Sequence, residues 1–402
     1  MVVEDTGTSS FNDILIENNE IRAVRNIGLV ACLNATSARN VIIRGNTIHD
    51  VAKNAIIVRI CDNTCLIEHN LCYDTATMTT GNTMFTAAVN GPVFQYNEGY
   101  NNMAGDHDGS LYDADLNSKN VVFQYSYSHD NSHGLYWQYG SSTADTGNVC
   151  RYNISQNDHG NIFSFSGSGG SDYVYNNTIF IPQTNVPPTN LPRNIIDDRS
   201  SSHKEYFYNN IFYNLSPSAQ YHLTSGNTHT FDHNVFFGEH PTSEPADTNK
   251  LTSDPMLVSP GTGRTNDFGS LAGYKLQAGS PCIDSGLLIT TNLAGNANTA
   301  ALDFFNNAVP FNTATDRGAH EWTPPLAAPL LFGTVFSSNG VFSFLFTNIP
   351  SMNFAVFRCT NVSLAASNWS VAGTAVEVAT GQYQFRETNP ATAQQFYRVR
   401  SP

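Results

Sequence analysis

One short phrase returns nine times within the first 234 residues, and it limits this chain to very few folds. It reads Ile16-Glu17-Asn18-Asn19, then Ile43-Arg44-Gly45-Asn46, then Ile67-Glu68-His69-Asn70. The closing residues form the series Asn19, Asn46, Asn70, Asn97, Ser126, Asn153, Asn177, Asn210 and Asn234, with spacings of 27, 24, 27, 29, 27, 24, 33 and 24 residues. Three positions earlier stand Ile16, Ile43, Ile67, Phe94, Phe123, Cys150, Val174, Phe207 and Phe231, all apolar. The residues between, such as Glu17, Arg44, Glu68 and Gln124, are polar or amphipathic. Alternation with one apolar face is the signature of a half-buried strand. One such strand per 24–33 residues, with further strands between, describes a coil that stacks on itself. The Asn is expected at a tight bend, where it tolerates the left-handed conformation and can bond its counterparts along the stack. The period is too short for a propeller blade, and a leucine-rich repeat would show Leu and helices.

Composition agrees. Only 13% of the 402 residues are charged, and Asn, aromatics and β-branched residues replace the Lys and Glu that helices favour. The net charge of −14, with 19 Lys and Arg, excludes a broad basic surface for nucleic acid or anionic membrane. No apolar run reaches 18 residues, the length a membrane-spanning helix needs. Strand-like sequence begins by Ile14 with no leader before it, so the start reads as trimmed. Seven cysteines without zinc spacing are expected as buried thiols with at most one disulfide.

Phrases such as Ile43-Arg44-Gly45-Asn46-Thr47-Ile48 and Tyr125-Ser126-Tyr127-Ser128-His129-Asp130-Asn131 resemble the right-handed parallel β-helix, pectate-lyase-like superfamily over roughly residues 12–240. The resemblance implies an all-β right-handed solenoid over 1–245 and a secreted or cell-surface, carbohydrate-active protein. Asp254-Pro255-Met256-Leu257, Gly279-Ser280-Pro281-Cys282 and Asp316-Arg317-Gly318-Ala319-His320-Glu321 resemble the closing tail of such helices, over 246–322. A Pro-rich linker at 323–329 precedes a final alternating stretch, 330–402, expected to form a small C-terminal β-sandwich-like module. Trp369 within it is expected in that module's core, or else as a sugar platform.

One turn departs from the repeat. Between Gly105 and Asn117 it carries Asp106, His107, Asp108, Asp113 and Asp115. Alignment with neighbouring turns predicts a strand over 111–116. Asp113 and Asp115 then share one face with Cα atoms about 6.5–7 Å apart, on the outward side because buried like charges repel. Such closeness splits carboxyl pKa values, which suits a general acid beside a base or nucleophile. His129 and His133 of the next turn are expected to assist. Asp106, His107, Asp108, Asp130, Tyr136, Trp137 and Arg59 are expected to bind substrate, with the aromatic rings stacking on sugars.

Three functions compete. The leading one is glycoside hydrolysis by the Asp pair, although the resemblance lacks the Asn-Thr-Asp, Asp-Asp, Gly-His-Gly and Arg-Ile-Lys set of polygalacturonases. The second is a polysaccharide lyase acting by β-elimination on a uronate, for which Arg59, Lys119 and Arg151 are the basic candidates. The third is a non-catalytic binding solenoid, which should spread its surface residues over many turns instead of gathering them in 105–160. The expected partner is a polysaccharide or oligosaccharide taken up by a monomer. No cofactor is required, and a structural calcium held by the acidic turn is the alternative use of those residues.

Overall fold

The computed structural model describes residues 1–4, 7, 9–105, 108–142, 144–183, 194–199, 202–224, 229–289, 302–324, 330–338, 340–350, 352–388 and 394–400. Two compact units divide the chain, 1–323 and 324–402. The first is the expected parallel solenoid. Three nine-stranded parallel sheets run along it, each turn giving one strand to each sheet. The first sheet contains Ile56–Arg59, Met84–Ala87, Tyr112–Ala114, Tyr136–Ser141, Phe163–Ser168 and Asn194–Asp198. The second contains the repeat strands, from Ser10–Glu17 to Thr230–Asp232. The third runs from Glu20–Val24 to Val235–Gly238.

The repeat residues form a ladder at the corner between the second and third sheets. The Nδ2 of Asn46 donates to Asn70 Oδ1 at 2.9 Å, Asn70 to Asn97 at 3.0 Å, Asn153 to Asn177 at 3.0 Å and Asn210 to Asn234 at 3.0 Å. Each amide also donates to a strand carbonyl, as Asn153 does to Phe123 O, so these buried side chains are satisfied. The left-handed position is not the ladder Asn, as the sequence suggested, but the residue before it. Gly45, His69, Tyr96, Tyr125, Tyr152 and Asn176 all have φ between 49° and 63°. The corner needs one reversal of chain direction, and that residue makes it while the Asn stays free to bond sideways.

Ser126 breaks the ladder's chemistry, being shorter than Asn. Tyr112 fills the gap: its hydroxyl donates to Ser126 Oγ at 2.7 Å and accepts from Asn97 Nδ2 at 3.2 Å. This anchors Tyr112 inward, and strand alternation then turns Asp113 outward. The ladder ends on Asp247, whose carboxylate accepts both the N–H and the Nδ2 of Asn234 at 2.9 Å.

The tail folds back along the outside of the solenoid. Leu257, Leu271, Tyr274, Leu276 and Phe304 pack with Tyr125, Tyr127, Tyr152 and Tyr175 in a second apolar cluster. Tyr125 donates to Leu302 O, and Asn176 to Asp316 O. All seven cysteines are free thiols, and six of them are buried.

The second unit is one six-stranded antiparallel sheet, in the order Leu330–Ser338, Val341–Thr347, Gln382–Thr388, Ser370–Ala379, Phe354–Cys359, Phe396–Arg400. Phe344, Phe346, Phe354, Val356, Tyr383 and Phe385 form its core. The expected module is thus a single sheet with an apolar face. Trp369 is outside its core cluster, its Nε1 donating to Leu364 O at 3.1 Å. Residues 325–329 of the expected linker lie outside the described residues.

Candidate active site

Parallel register arranges the first sheet's outward residues in columns along the solenoid axis. One column runs Ile57, Phe85, Asp113, Trp137, Ser164, Asp197. The next outward column contains Arg59 opposite Ala87 and Tyr139 opposite Ser166. Asp115 and Arg199 continue that column just past the ends of their strands. These columns floor a cleft of about 600 Å³. Asn54, Asn82, Phe85, Asp108, Asp113, Asp115, Trp137 and Tyr139 form its middle, with Lys53 and Arg59 on one side and Arg199 on the other. With strands about 4.8 Å apart, Arg59 and Arg199 stand five strands and about 24 Å apart.

Asp113 and Asp115 do share the outward face. The strand itself is shorter than expected, Tyr112–Ala114, and Asp115 begins the turn that follows. The two carboxyls differ in surroundings. Asp113 is only 3% exposed, between Phe85 and Trp137 on the neighbouring strands. Its Oδ2 accepts from Asn82 Nδ2 at 2.8 Å, and its Oδ1 has no hydrogen-bond partner among the described residues. Burial, then the charges of Asp115 and Asp108, raise its pKa well above the carboxylate range. Asp115 is more open. Burial pushes it up to about 6, with Asp108 adding to the rise and the Leu116 N–H and Arg59 opposing it. Asp108 is partly exposed and accepts from Thr80 Oγ1 on one oxygen and Asn82 Nδ2 on the other.

Other sequence candidates separate. Trp137 and Tyr139 line the cleft, their rings 6.3 Å apart edge to face, and Trp137 Nε1 donates to Ser166 Oγ at 2.9 Å. Arg59 lines it too. Tyr136 does not: it points into the core, where its hydroxyl donates to Asp172 Oδ2 at 2.8 Å. The reason is alternation, which puts Tyr136 and Trp137 on opposite faces.

His129 is not brought to the cleft. It lies on the third sheet, stacked between Tyr100 and Tyr127 at 4.7 and 4.4 Å, with its nitrogens on Asp130 and Glu98. Burial alone would lower this imidazole, but the bonds to Asp130 and Glu98 hold it up at about 8. Asp130 takes the left-handed turn position that Asp50, Asp74, Asn101 and Asn157 take in their own turns, with φ 54°. His49 and Asp50 repeat the same pairing three turns away, which marks it as a feature of the coil. His133 is fully buried between adjacent turns, where a Cβ on Gly160 would come within 2.9 Å of its ring. Asp106 and His107 lie outside the described residues.

Asn54, Asn82, Phe85 and Arg199 are in the cleft without having been marked by the sequence. Outward offset in the strand alignment could have found Phe85 and Arg199; Asn54 and Asn82 lie before their strands, two residues ahead of inward Ile56 and Met84, where alternation gives no signal. Arg199 donates to Asp197 at 2.6 Å, which also binds His222 Nδ1 at 2.6 Å. Among the described residues no group of three or more His, Cys, Asp or Glu side chains is arranged to hold a metal ion.

Fold and cleft together define a parallel β-solenoid with an acidic, aromatic-walled groove on one sheet. No protein-family model matches the chain. Over 361 residues it is 27% identical to a lacto-N-biosidase of Bifidobacterium longum subsp. longum, covering 75% of this chain and 21% of that protein. The chain thus spans about a fifth of the length of the relative it matches. A solved structure of XylC in complex with xylose aligns over 78% of this chain and 60% of its own, with a TM-score of 0.48 and 13% identity.

Proposed function

We propose that the solenoid is the catalytic unit of a glycoside hydrolase that takes a neutral or weakly acidic oligosaccharide along its cleft. The observation that carries this reading is the cluster of Asp108, Asp113 and Asp115 in one groove beside Trp137 and Tyr139. The similarity to a lacto-N-biosidase, itself a glycosidase by name, supports hydrolysis over β-elimination. The pectate-lyase-like, right-handed assignment and an extracellular location belong to the same proposal and rest on the repeat phrases.

The two more accessible carboxyls divide the work. Asp115, held near pKa 6, is suited to give a proton to the glycosidic oxygen and take one back. Asp108, with both oxygens accepting hydrogen bonds, is the second carboxylate, nucleophile or base according to the reaction's stereochemistry. Asp113 stands behind them, desolvated, its pKa pushed up by burial and then by Asp115 and Asp108. The 42%-exposed Tyr139 offers apolar surface to sugar rings next to the carboxyls, and Trp137, only 6% exposed, packs beside it in the cleft floor. The step uses this chain's residues and water, with no cofactor.

The test is digestion of a panel of neutral and acidic oligosaccharides with product analysis. The expected product is a shorter saccharide with a new reducing end. An unsaturated product absorbing in the ultraviolet would establish the lyase, and binding without turnover on every glycan would establish the binding solenoid.

A further inference from the structure

Asn82 lies on the turn before the acidic loop, buried, and its side chain is used at every polar atom. Its Oδ1 accepts the N–H groups of Gly109 and Ser110, both at 2.9 Å. Its Nδ2 donates to Asp113 Oδ2 at 2.8 Å and to Asp108 Oδ1 at 3.2 Å. Its own carbonyl accepts from Asn54 Nδ2 at 2.8 Å, which ties it to the turn before. The loop is bent to meet it: Gly109 has φ +125°, and a Cβ there would come within 2.3 Å of Ser132 Oγ. Only a side-chain amide can accept from the loop and donate to two carboxyls at once. A carboxylate cannot donate, and Lys or Arg cannot accept.

We propose that Asn82 is a positioning residue for the cleft, setting where Asp108 and Asp113 stand relative to Asp115 and to a bound glycan by donating to both and fixing the loop between them. The inference rests on the hydrolase reading for its effect on turnover, but not for its effect on the carboxyls. Without the shared donor, two adjacent carboxyls lose the bond that holds them apart in role, and the charged form of Asp108 is disfavoured. Asp115 and Asp108 both act on Asp113, while Asp108, Arg59 and Asp145, the last in the loop after Tyr136–Ser141, act on Asp115; Lys53 and Arg199 line the same cleft.

Two variants of the full chain test this. Asn82→Asp keeps the shape and the oxygen that receives Gly109 and Ser110; Asn82→Ala removes both functions. Carboxyl titration is followed by carbon-13 NMR of Asp-labelled protein without substrate, alongside the melting temperature, kcat and KM. In both variants the Asp108 midpoint should rise, and the acid limb of the kcat profile should move with it. Turnover should fall about 10²-fold, as misplaced catalytic groups do, with KM little changed. A purely structural Asn82 would lower stability and activity together and leave the titration and the pH profile in place, which overturns the proposal. So would unchanged titration in a folded variant. If the parent cleaves no oligosaccharide, the hydrolase reading fails, and the substrate-free titration still decides the role of Asn82. Should Asn82→Ala not fold, the uncharged Asn82→Ser carries the test, because the carboxylate in Asn82→Asp raises its neighbours by its charge alone.

Discussion

Asp113 and Trp137 are register partners on adjacent parallel strands, both turned away from the solenoid core. The indole covers one side of the carboxyl and Phe85, the partner on the other strand, covers the other. Asp113 is therefore an acid group at the floor of a polar cleft yet shielded from its water. That relationship sets Asp113 apart from the more exposed Asp108 and Asp115.

Replacing the accessible carboxyls should abolish most turnover. Asp108→Asn and Asp115→Asn are each expected to lose about 10²–10⁴ in kcat/KM, the range for removing a general acid or base. Asp113→Asn should lose far less, because Asp113 is buried between Phe85 and Trp137, away from a bound glycan. An equal loss at Asp113 would move it into the reacting pair. If a calcium ion instead organises these residues, a chelator will lower the parent's melting temperature and all three variants will be less stable.

Trp137→Ala should act twice. It removes the indole that packs against Tyr139 in the cleft floor, so KM should rise, by roughly tenfold for a lost aromatic contact of about 1–1.5 kcal/mol. It also opens Asp113 to water, so the Asp113 titration midpoint should fall toward the ordinary carboxylate range. A variant with parental KM and unmoved Asp113 titration would contradict both roles.

Acid should stabilise the solenoid over much of its range. Burial raises Asp115 and Asp158 to about 6, Asp316 to about 7 and Asp172 to about 8. Each binds its proton more tightly folded than unfolded, so the stability it contributes is full below its unfolded pKa, about 4, and lost as pH rises through the folded value. His129, held at about 8, loses its contribution in the same direction. His320, lowered to about 3 by burial and then Lys275, works oppositely below pH of about 6.5. His320 and the thiols of Cys65, lowered to about 7 chiefly by the hydrogen bond with Cys61, and Cys32 oppose a larger number of raised carboxyls, so the urea midpoint should be higher near pH 5 than near pH 8. A midpoint that rises with pH would show the carboxyls to be paired differently.

The ladder can be broken at one rung. Asn153→Leu leaves the Ser126 N–H and the Phe123 carbonyl without their partner and takes one of two donors from Asn177 Oδ1, which keeps the N–H of residue 153. A loss of about 1–3 kcal/mol in unfolding free energy is expected for buried groups left unpaired. An unchanged denaturant midpoint would remove the ladder from the stability argument.

Ending the chain at Trp322 should leave a folded solenoid. The sheets, the ladder and the tail clusters that hold it lie within 1–323. Limited proteolysis and circular dichroism of the truncated chain check this, and a protease-soft product would show that the two units need each other.

The sequence by itself determined the coil, because a buried apolar residue and a stacked Asn must recur once per turn for each turn to satisfy the next. It also determined that Asp113 and Asp115 face the same way, since alternation along a strand is fixed by backbone geometry. It did not determine which turn residue takes the left-handed position, because Tyr and His carry no sign of it. Nor did it show that Asp247 ends the ladder, since that carboxylate arrives from outside the period. The cleft was decided by tertiary structure. Lys53, Asn82, Trp137 and Arg199 are far apart along the chain, and parallel stacking brings them around one cleft. His129 and His133 are nearer in sequence to Asp115 than Arg59 is, yet a corner of the coil carries His129 to another sheet and packing closes over His133. In a solenoid, neighbours along the axis come from register between turns, and nearness in sequence only places a residue further around the same turn.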